Sequence, residues 1–180
     1  MARYSIEEYV RWEDIDAAGI INYQAYLRFF ALAEAELLRS AGLNYRFLFE
    51  SLGIWLPRVR VECNFFRPVK LDELLVVEAY FSRIGRTSIQ LDFEVRRKTD
   101  LSERVATGRY VLVCVRQGNF EPVPVPSEIR DPIAKFLESP PAAKPDADDP
   151  VALDRLRDDG DPIISAAELA KRIDGKARKD

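Results

Sequence analysis

Four stretches between Arg58 and Arg116 alternate apolar and polar side chains in pairs, and one long stretch, Tyr23 to Ser40, repeats with a helical period. That imbalance constrains the fold most, because sustained period-two alternation is the signature of strands with one buried face. In RVRVECNFF, Val59, Val61, Cys63 and Phe65 point one way and Arg60, Glu62 and Asn64 the other. ELLVVEAYF supplies a strand over Glu73 to Phe81, and TSIQLDFEV gathers Ile89, Leu91, Phe93 and Val95 on one side. GRYVLVCVR is apolar on both phases around Tyr110 to Val115, as a central strand should be. Tyr4 to Trp12 is a further strand, ahead of the helix.

The helical run places Tyr26, Phe29, Phe30, Ala33 and Leu37 on one face, widened by Leu27, Ala31 and Leu38. Such a helix is expected to be buried around much of its circumference. Asn22 has the short acceptor side chain of an N-cap, and Gly42 stands where a C-cap glycine would. Proline-rich EPVPVPS closes the strand region, and Ser127 to Leu137 reads as a short helix. One antiparallel sheet against one long helix is an α+β fold. A sheet this long under a single helix leaves a face or an edge uncovered, which predicts a homo-oligomer.

Composition adds exclusions. Among 180 residues there is no histidine, so a Ser-His-Asp triad, a Cys-His pair and a histidine-ligated metal are all excluded. Cys63 and Cys114 are too few for a disulfide framework or a four-cysteine zinc site, and read as small core residues. A net charge of −3 argues against a broad nucleic-acid surface. No stretch approaches the ~20 apolar residues of a membrane helix, and the N-terminus lacks an apolar secretory core. The expectation is a reduced, cytoplasmic protein without an integral membrane segment. No aromatic residue follows Phe136, and PPAAKPDADDP reads as a linker. The sequence therefore divides into a domain over residues 1–138 and a charged, flexible tail over 139–180. A short helix in that tail is suggested by the capping-box spacing of Ser165 and Glu168.

The chemistry concentrates in RWEDIDAAGIINYQAYLRFF, Arg11 to Phe30. Asp16 falls in the loop between the first strand and the helix start, where unpaired amides carry partial positive charge. Gly19 would let backbone approach a ligand closely. A carboxylate opposite such donors can attack a carbonyl or activate a water while the amides hold the oxygen, which is acyl transfer to water. Acids ahead of a helix also serve as caps and dipole partners, and Asp14 reads as a residue that orients the loop. Glu34 and Glu36 read as solvated or salt-bridged.

The segment resembles the 4-hydroxybenzoyl-CoA thioesterase family of hot-dog-fold proteins, particularly the bacterial acyl-CoA thioesterases associated with the Tol-Pal region. The resemblance is carried by Arg11-Trp12, Asp14-Ile15-Asp16, Gly19, Ile20-Ile21 and Tyr26, and continues to about Lys135. It implies a sheet wrapped around a central helix, dimers built into a continuous sheet, and often a dimer of dimers. It also implies cofactor-independent hydrolysis of an acyl-CoA, with CoA part of the substrate, Asp16 as nucleophile or general base, and the backbone amide of Tyr23 polarising the carbonyl. Tyr26 and Phe30 are then candidates for an acyl pocket, or plain core. Arg83, Arg86 and Ser88 are candidates for CoA phosphate or pantetheine contacts, or solvated surface. Ile20 or Tyr23 stands where the family commonly has a histidine, and Ala31 where several relatives carry a helix glutamate. Alternative readings are an acyl-ACP thioesterase and a non-hydrolytic acyl-CoA-binding or interaction module.

Overall fold

The computed structural model describes residues 3–138, so the tail and its suggested helix lie outside the described residues. Strand β1 (Tyr4–Tyr9) leads through a 3-10 turn (Trp12–Asp14) to helix α1 (Tyr23–Ser40). A π-helical turn (Phe47–Ser51), short β2 (Ile54–Trp55) and β3 (Arg58–Phe65) follow. Then come β4 (Leu74–Ile84), β5 (Ser88–Arg97), β6 (Asp100–Val113), short β7 (Val115–Arg116) and α2 (Ser127–Ala134). The five long strands form one antiparallel sheet in the order β1-β4-β5-β6-β3, packed on α1, while β2 and β7 pair separately. This is the expected α+β hot-dog arrangement.

Both ends of α1 follow the sequence. Asn22 accepts from the Ala25 amide at 3.1 Å. At the other end Gly42 turns left-handed (φ 78°), and the Leu43 amide returns to the Leu38 carbonyl at 2.8 Å. The strand boundaries differ from those expected. The chain leaves β1 at Tyr9 because Asp14 accepts from the Arg11 amide and winds residues 12–14 into a turn. Strand β6 starts at Asp100, eight residues before the expected start at Gly108, and pairs with β5 from there. Helix α2 stops at Ala134, short of Leu137.

The inner sheet face presents Val77, Ala79, Phe81, Leu91, Phe93, Tyr110 and Leu112 to α1, all buried. Phe30 is the centre of that contact. Its ring stacks on Phe93 (centroids 4.6 Å apart) and meets Tyr110 edge-on at 6.1 Å. A Cβ on Gly108 would stand 2.4 Å from the Phe30 ring, so helix and sheet approach this closely only over glycine. The outer face carries charge instead. Asp92 pairs with Arg109 at 2.7 Å, and Glu94 pairs with Arg3 and Arg96, each at 2.7 Å.

Gly108→Ala should cost about 1–3 kcal/mol, because a methyl must displace a ring already fixed by two aromatic neighbours. Denaturant unfolding measures this, and an unchanged midpoint would show that the helix can lift off the sheet freely.

Candidate active site

The loop from Asp14 to Asn22 is closed by its own backbone. Ile15 and Ile21 form an antiparallel bridge, and the Asp16 amide donates to the Ile20 carbonyl at 2.9 Å. The Asp14 carbonyl accepts from both the Asn22 amide and Asn22 Nδ2, each at 2.7 Å. Gly19 has φ 74°, and a Cβ there would meet nothing within 4 Å. Glycine is therefore required by the turn itself rather than by space.

Asp14 is the buried hub of this loop, 3% exposed. Its carboxylate accepts from the Arg11 amide at 2.9 Å and pairs with Arg28, from the second turn of α1, at 2.6 Å. The Arg28 side chain lies over the Phe29 ring, and its Nε is buried without a hydrogen-bond partner. Asp14 thus orients, as its sequence position suggested, and it ties the loop to the helix.

Asp16, two residues on, is exposed, and among the described residues its Oδ1 accepts only from the Ala18 amide, at 2.8 Å. Its carboxylate is held by a local turn and is otherwise open. Next in the chain comes the start of α1, where the Tyr23 and Gln24 amides have no acceptor among the described residues. An open carboxylate and free helix amides at the two ends of one clamped loop can hold a carbonyl carbon between a base and an oxyanion site.

The other candidates are distributed unevenly. Tyr26 is 2% exposed, rests on Phe65 (centroids 5.1 Å apart) and sits one turn beyond Tyr23, so it backs the site from within the core. Phe30, one further turn along, is sealed against the sheet. Arg83, Arg86 and Ser88 lie at the β4–β5 turn. In the register of β1 with β4, Tyr9 is opposite Leu74, the other end of β4. At about 3.3 Å per residue, those three are some 30 Å along the sheet from the Asp16 end of the same chain. Arg83 and Arg86 are exposed and make no ion pair among the described residues.

Of the two readings of Glu34, solvated or salt-bridged, the structure shows the second, and in a buried setting. Glu34 lies on α1, is 1% exposed and pairs with Arg58. A bulge between Arg58 and Arg60 shifts the β3 register, so Arg58 turns to the inner face while Arg60 stays outside. Arg58 also lies over the Tyr110 ring at 5.0 Å. Burial pushes the Glu34 carboxyl above its ordinary range, with the Arg58 charge and hydrogen bond pulling the other way. Burial also lifts Tyr110 to about 12 and Cys63 to about 11, so Cys63 is a protonated thiol at neutral pH and no ready nucleophile. Among the described residues there is no group of three or more Cys, Asp or Glu that could hold a metal ion, and no helix long and apolar enough to cross a membrane.

Residues 10–133 match the family described as the thioesterase-like superfamily. The acyl-CoA thioesterase YbgC of Haemophilus influenzae is 28% identical over 127 residues, which is 71% of this chain and 91% of that one. The 1,4-dihydroxy-2-naphthoyl-CoA hydrolase of Synechococcus elongatus is 25% identical over 132 residues, 73% of this chain and 95% of that one. Among solved structures, the SAV2348 protein of Staphylococcus aureus in complex with CoA superposes with a TM-score of 0.70 at 15% identity, over 79% of this chain and 89% of that one.

Glu34 gives a pH signature. A carboxyl whose folded-state pKa is raised holds its proton more tightly when folded. Its stabilising contribution is complete below the unfolded value and is lost as pH rises through the folded one. Wild type should therefore lose stability upward from the ordinary carboxylate range, and Glu34→Gln should flatten that part of the curve. Urea midpoints across this range decide it, and parallel curves would show that Glu34 ionises as if in water.

Proposed function

The chain belongs to the thioesterase-like superfamily, and on that footing we propose that it hydrolyses acyl-CoA thioesters to the free acid and CoA. The reading rests on one juxtaposition. The Asp16 carboxylate is exposed and nearly unpartnered, on a clamped loop that runs directly into the free amides opening an 18-residue helix. The thioester carbonyl oxygen accepts from the Tyr23 amide, where the helix dipole favours developing negative charge. Asp16 either attacks the carbonyl carbon, forming an anhydride that water then opens, or takes a proton from the attacking water. On both routes the C–S bond breaks, CoA leaves as thiol, and one water is consumed. No cofactor enters, and Asp14 and Arg28 keep the loop in place. Gly19 shapes the turn, and Tyr26 and Phe65 supply the apolar surface nearest the carbonyl. The relatives' names support a CoA carrier over an acyl carrier protein.

The working assembly in this reading is a homodimer joined through free sheet edges, with dimers associating further into a tetramer. Strand β3 is an edge that exposes Val59, Val61 and Phe65, the kind of strand that proteins normally cover. CoA phosphates then find Arg83 and Arg86 on a neighbouring chain, since in their own chain these lie at the far end of the sheet.

Asp16→Asn keeps shape and amides but removes the charge. It should lower kcat by at least roughly a hundredfold with KM largely kept, whereas Asp14→Asn should lower activity less and stability more. Thiol release from an acyl-CoA panel, with circular dichroism to confirm folding, tests both. A folded Asp16→Asn enzyme that turns over like wild type would refute the mechanism. Light scattering at micromolar concentration should give at least a dimer mass, and a monomer would remove the basis for CoA contacts between chains.

A further inference from the structure

The loop that carries Asp16 and the helix start that carries the Tyr23 amide are bonded to the connection between β3 and β4, residues 66–73. The Val69 carbonyl accepts from the Ile21 amide at 2.8 Å, next to the Asn22 cap of α1. Ahead of the loop, the Val10 amide donates to the Glu73 carbonyl at 2.9 Å and the Asp72 amide to the Val10 carbonyl at 3.0 Å. Val10 and Val69 are both fully buried. This connection therefore grips the catalytic loop at both of its entrances. It is neither helix nor strand, and Asp72 within it takes a left-handed φ of 65°, so no ladder sets its shape. Arg97, at the end of β5, does so instead. Its guanidinium donates to the Pro68 carbonyl, to Glu73 and to Glu103, and its side chain is 19% exposed. The other oxygen of Glu73 accepts from the Lys70 amide at 2.8 Å. One planar fork thus spans the connection from Pro68 to Glu73, a reach that a single ammonium lacks. Two carboxylates flank its one positive charge, so the charge is already matched and the contribution of Arg97 is geometric.

We propose that Arg97 is a positioning residue for thioester hydrolysis, fixing Pro68 and Glu73 so that the Val69 carbonyl holds Ile21 and thereby aims the Tyr23 amide at the thioester oxygen. This rests on the thioesterase reading for the reaction, and on the hydrogen bonds alone for the coupling. Arg97 acts through other residues. Its donors end on Pro68, the next residue takes the Ile21 amide, and the Tyr23 amide follows two residues on. The tie also lies within electrostatic reach of the helix start. Burial lifts the Tyr26 hydroxyl above the ordinary phenol range, while the Arg97 charge pulls it down and the Glu73 charge pushes it up. Groups that meet a transition state must be held within about 0.5 Å of their productive positions. Without Arg97 the Pro68 carbonyl loses its donor and Glu73 its counter-charge, and the Val69 carbonyl is no longer held to that tolerance. The loss is selective. Contacts to the acyl group and to CoA remain, whereas the donor that meets the developing charge is out of place, so kcat falls and KM does not.

Two measurements test this. The first is steady-state thiol release from an acyl-CoA. Arg97→Ala should lower kcat by roughly tenfold or more, with KM within about twofold of wild type. Arg3, which pairs with Glu78, Glu94 and Glu138 on the outer face, is the control for the plain loss of a paired arginine. Arg3→Ala, compared by its urea midpoint, should turn over like wild type. A kcat loss in Arg97→Ala no greater than in Arg3→Ala, or a loss confined to KM, overturns the proposal. The second is amide hydrogen exchange, which needs no substrate. In Arg97→Ala the Ile21 amide should lose roughly tenfold more protection than the Leu43 amide, which bonds to Leu38 at the far end of α1. Equal losses at the two amides would show a general fall in stability and overturn the coupling. If Arg97→Ala fails to fold, Arg97→Lys, which keeps the charge and loses the fork, takes its place in both measurements. A wild-type protein that releases no thiol, in which Ile21 still responds to Arg97→Ala, would refute the thioesterase reading while leaving the coupling intact.

Discussion

The Phe30 ring occupies the space where a side chain on Gly108 would have to be, and that single close approach sets the distance between the helix and the sheet. With the gap fixed, Phe93 and Tyr110 close around the ring, and α1 has one resting angle across the strands. The helix N-terminus is positioned by the same contact, because α1 is continuous from Tyr23 to Ser40. The free amides of the candidate site are thus held by packing two turns away. A rigid element carrying the donors, with a short loop carrying the carboxylate, is how preorganised electrostatics are usually achieved.

The loop needs a second anchor, and Asp14 provides it at the cost of burying a charge. Its carboxylate is held by Arg28 and the Arg11 amide, its carbonyl by Asn22. Every one of these partners lies between Arg11, which caps the 3-10 turn ahead of the loop, and the second turn of α1. Loop and helix start therefore form one unit, and the Asp16 side chain keeps its place with the Ala18 amide as its one hydrogen-bond partner among the described residues. Two carboxylates two residues apart have been given opposite environments, one sealed and one open.

Much of this was legible in the sequence. Period-two patterning located the long strands because each has one apolar face, and Asn22 and Gly42 marked the ends of α1 because caps are local chemistry. The resemblance, carried by Asp14-Ile15-Asp16 and Gly19, identified the fold. What was not legible depends on register and tertiary position. Arg58 belongs by alternation with Arg60, yet a one-residue bulge turns it inward to Glu34. No pattern within the helix could announce that partner on a strand far along the chain. The turn at Trp12–Asp14 was hidden for a similar reason, since strand-friendly residues there are overruled by a side chain-to-backbone bond from Arg11 to Asp14. Arg83 and Arg86 were read for their charge, but distance from Asp16 is a property of strand pairing and not of residue type.

The strand order also carries a consequence for how the molecule assembles in time. Strands β4, β5 and β6 are neighbours in sequence and in the sheet, so they can zip together through two short hairpins. Strand β3 must instead find β6 across a long intervening chain, with Asn64 meeting a residue 43 positions away. Closing that loop carries an entropic cost that the hairpins do not, which places β3 late in the order of formation. The last strand to join is also the one with an open edge. Until β3 is seated, the outer strand of the meander, β6, is itself an open edge, and seating β3 covers that edge while leaving its own as the one that remains on that side of the sheet.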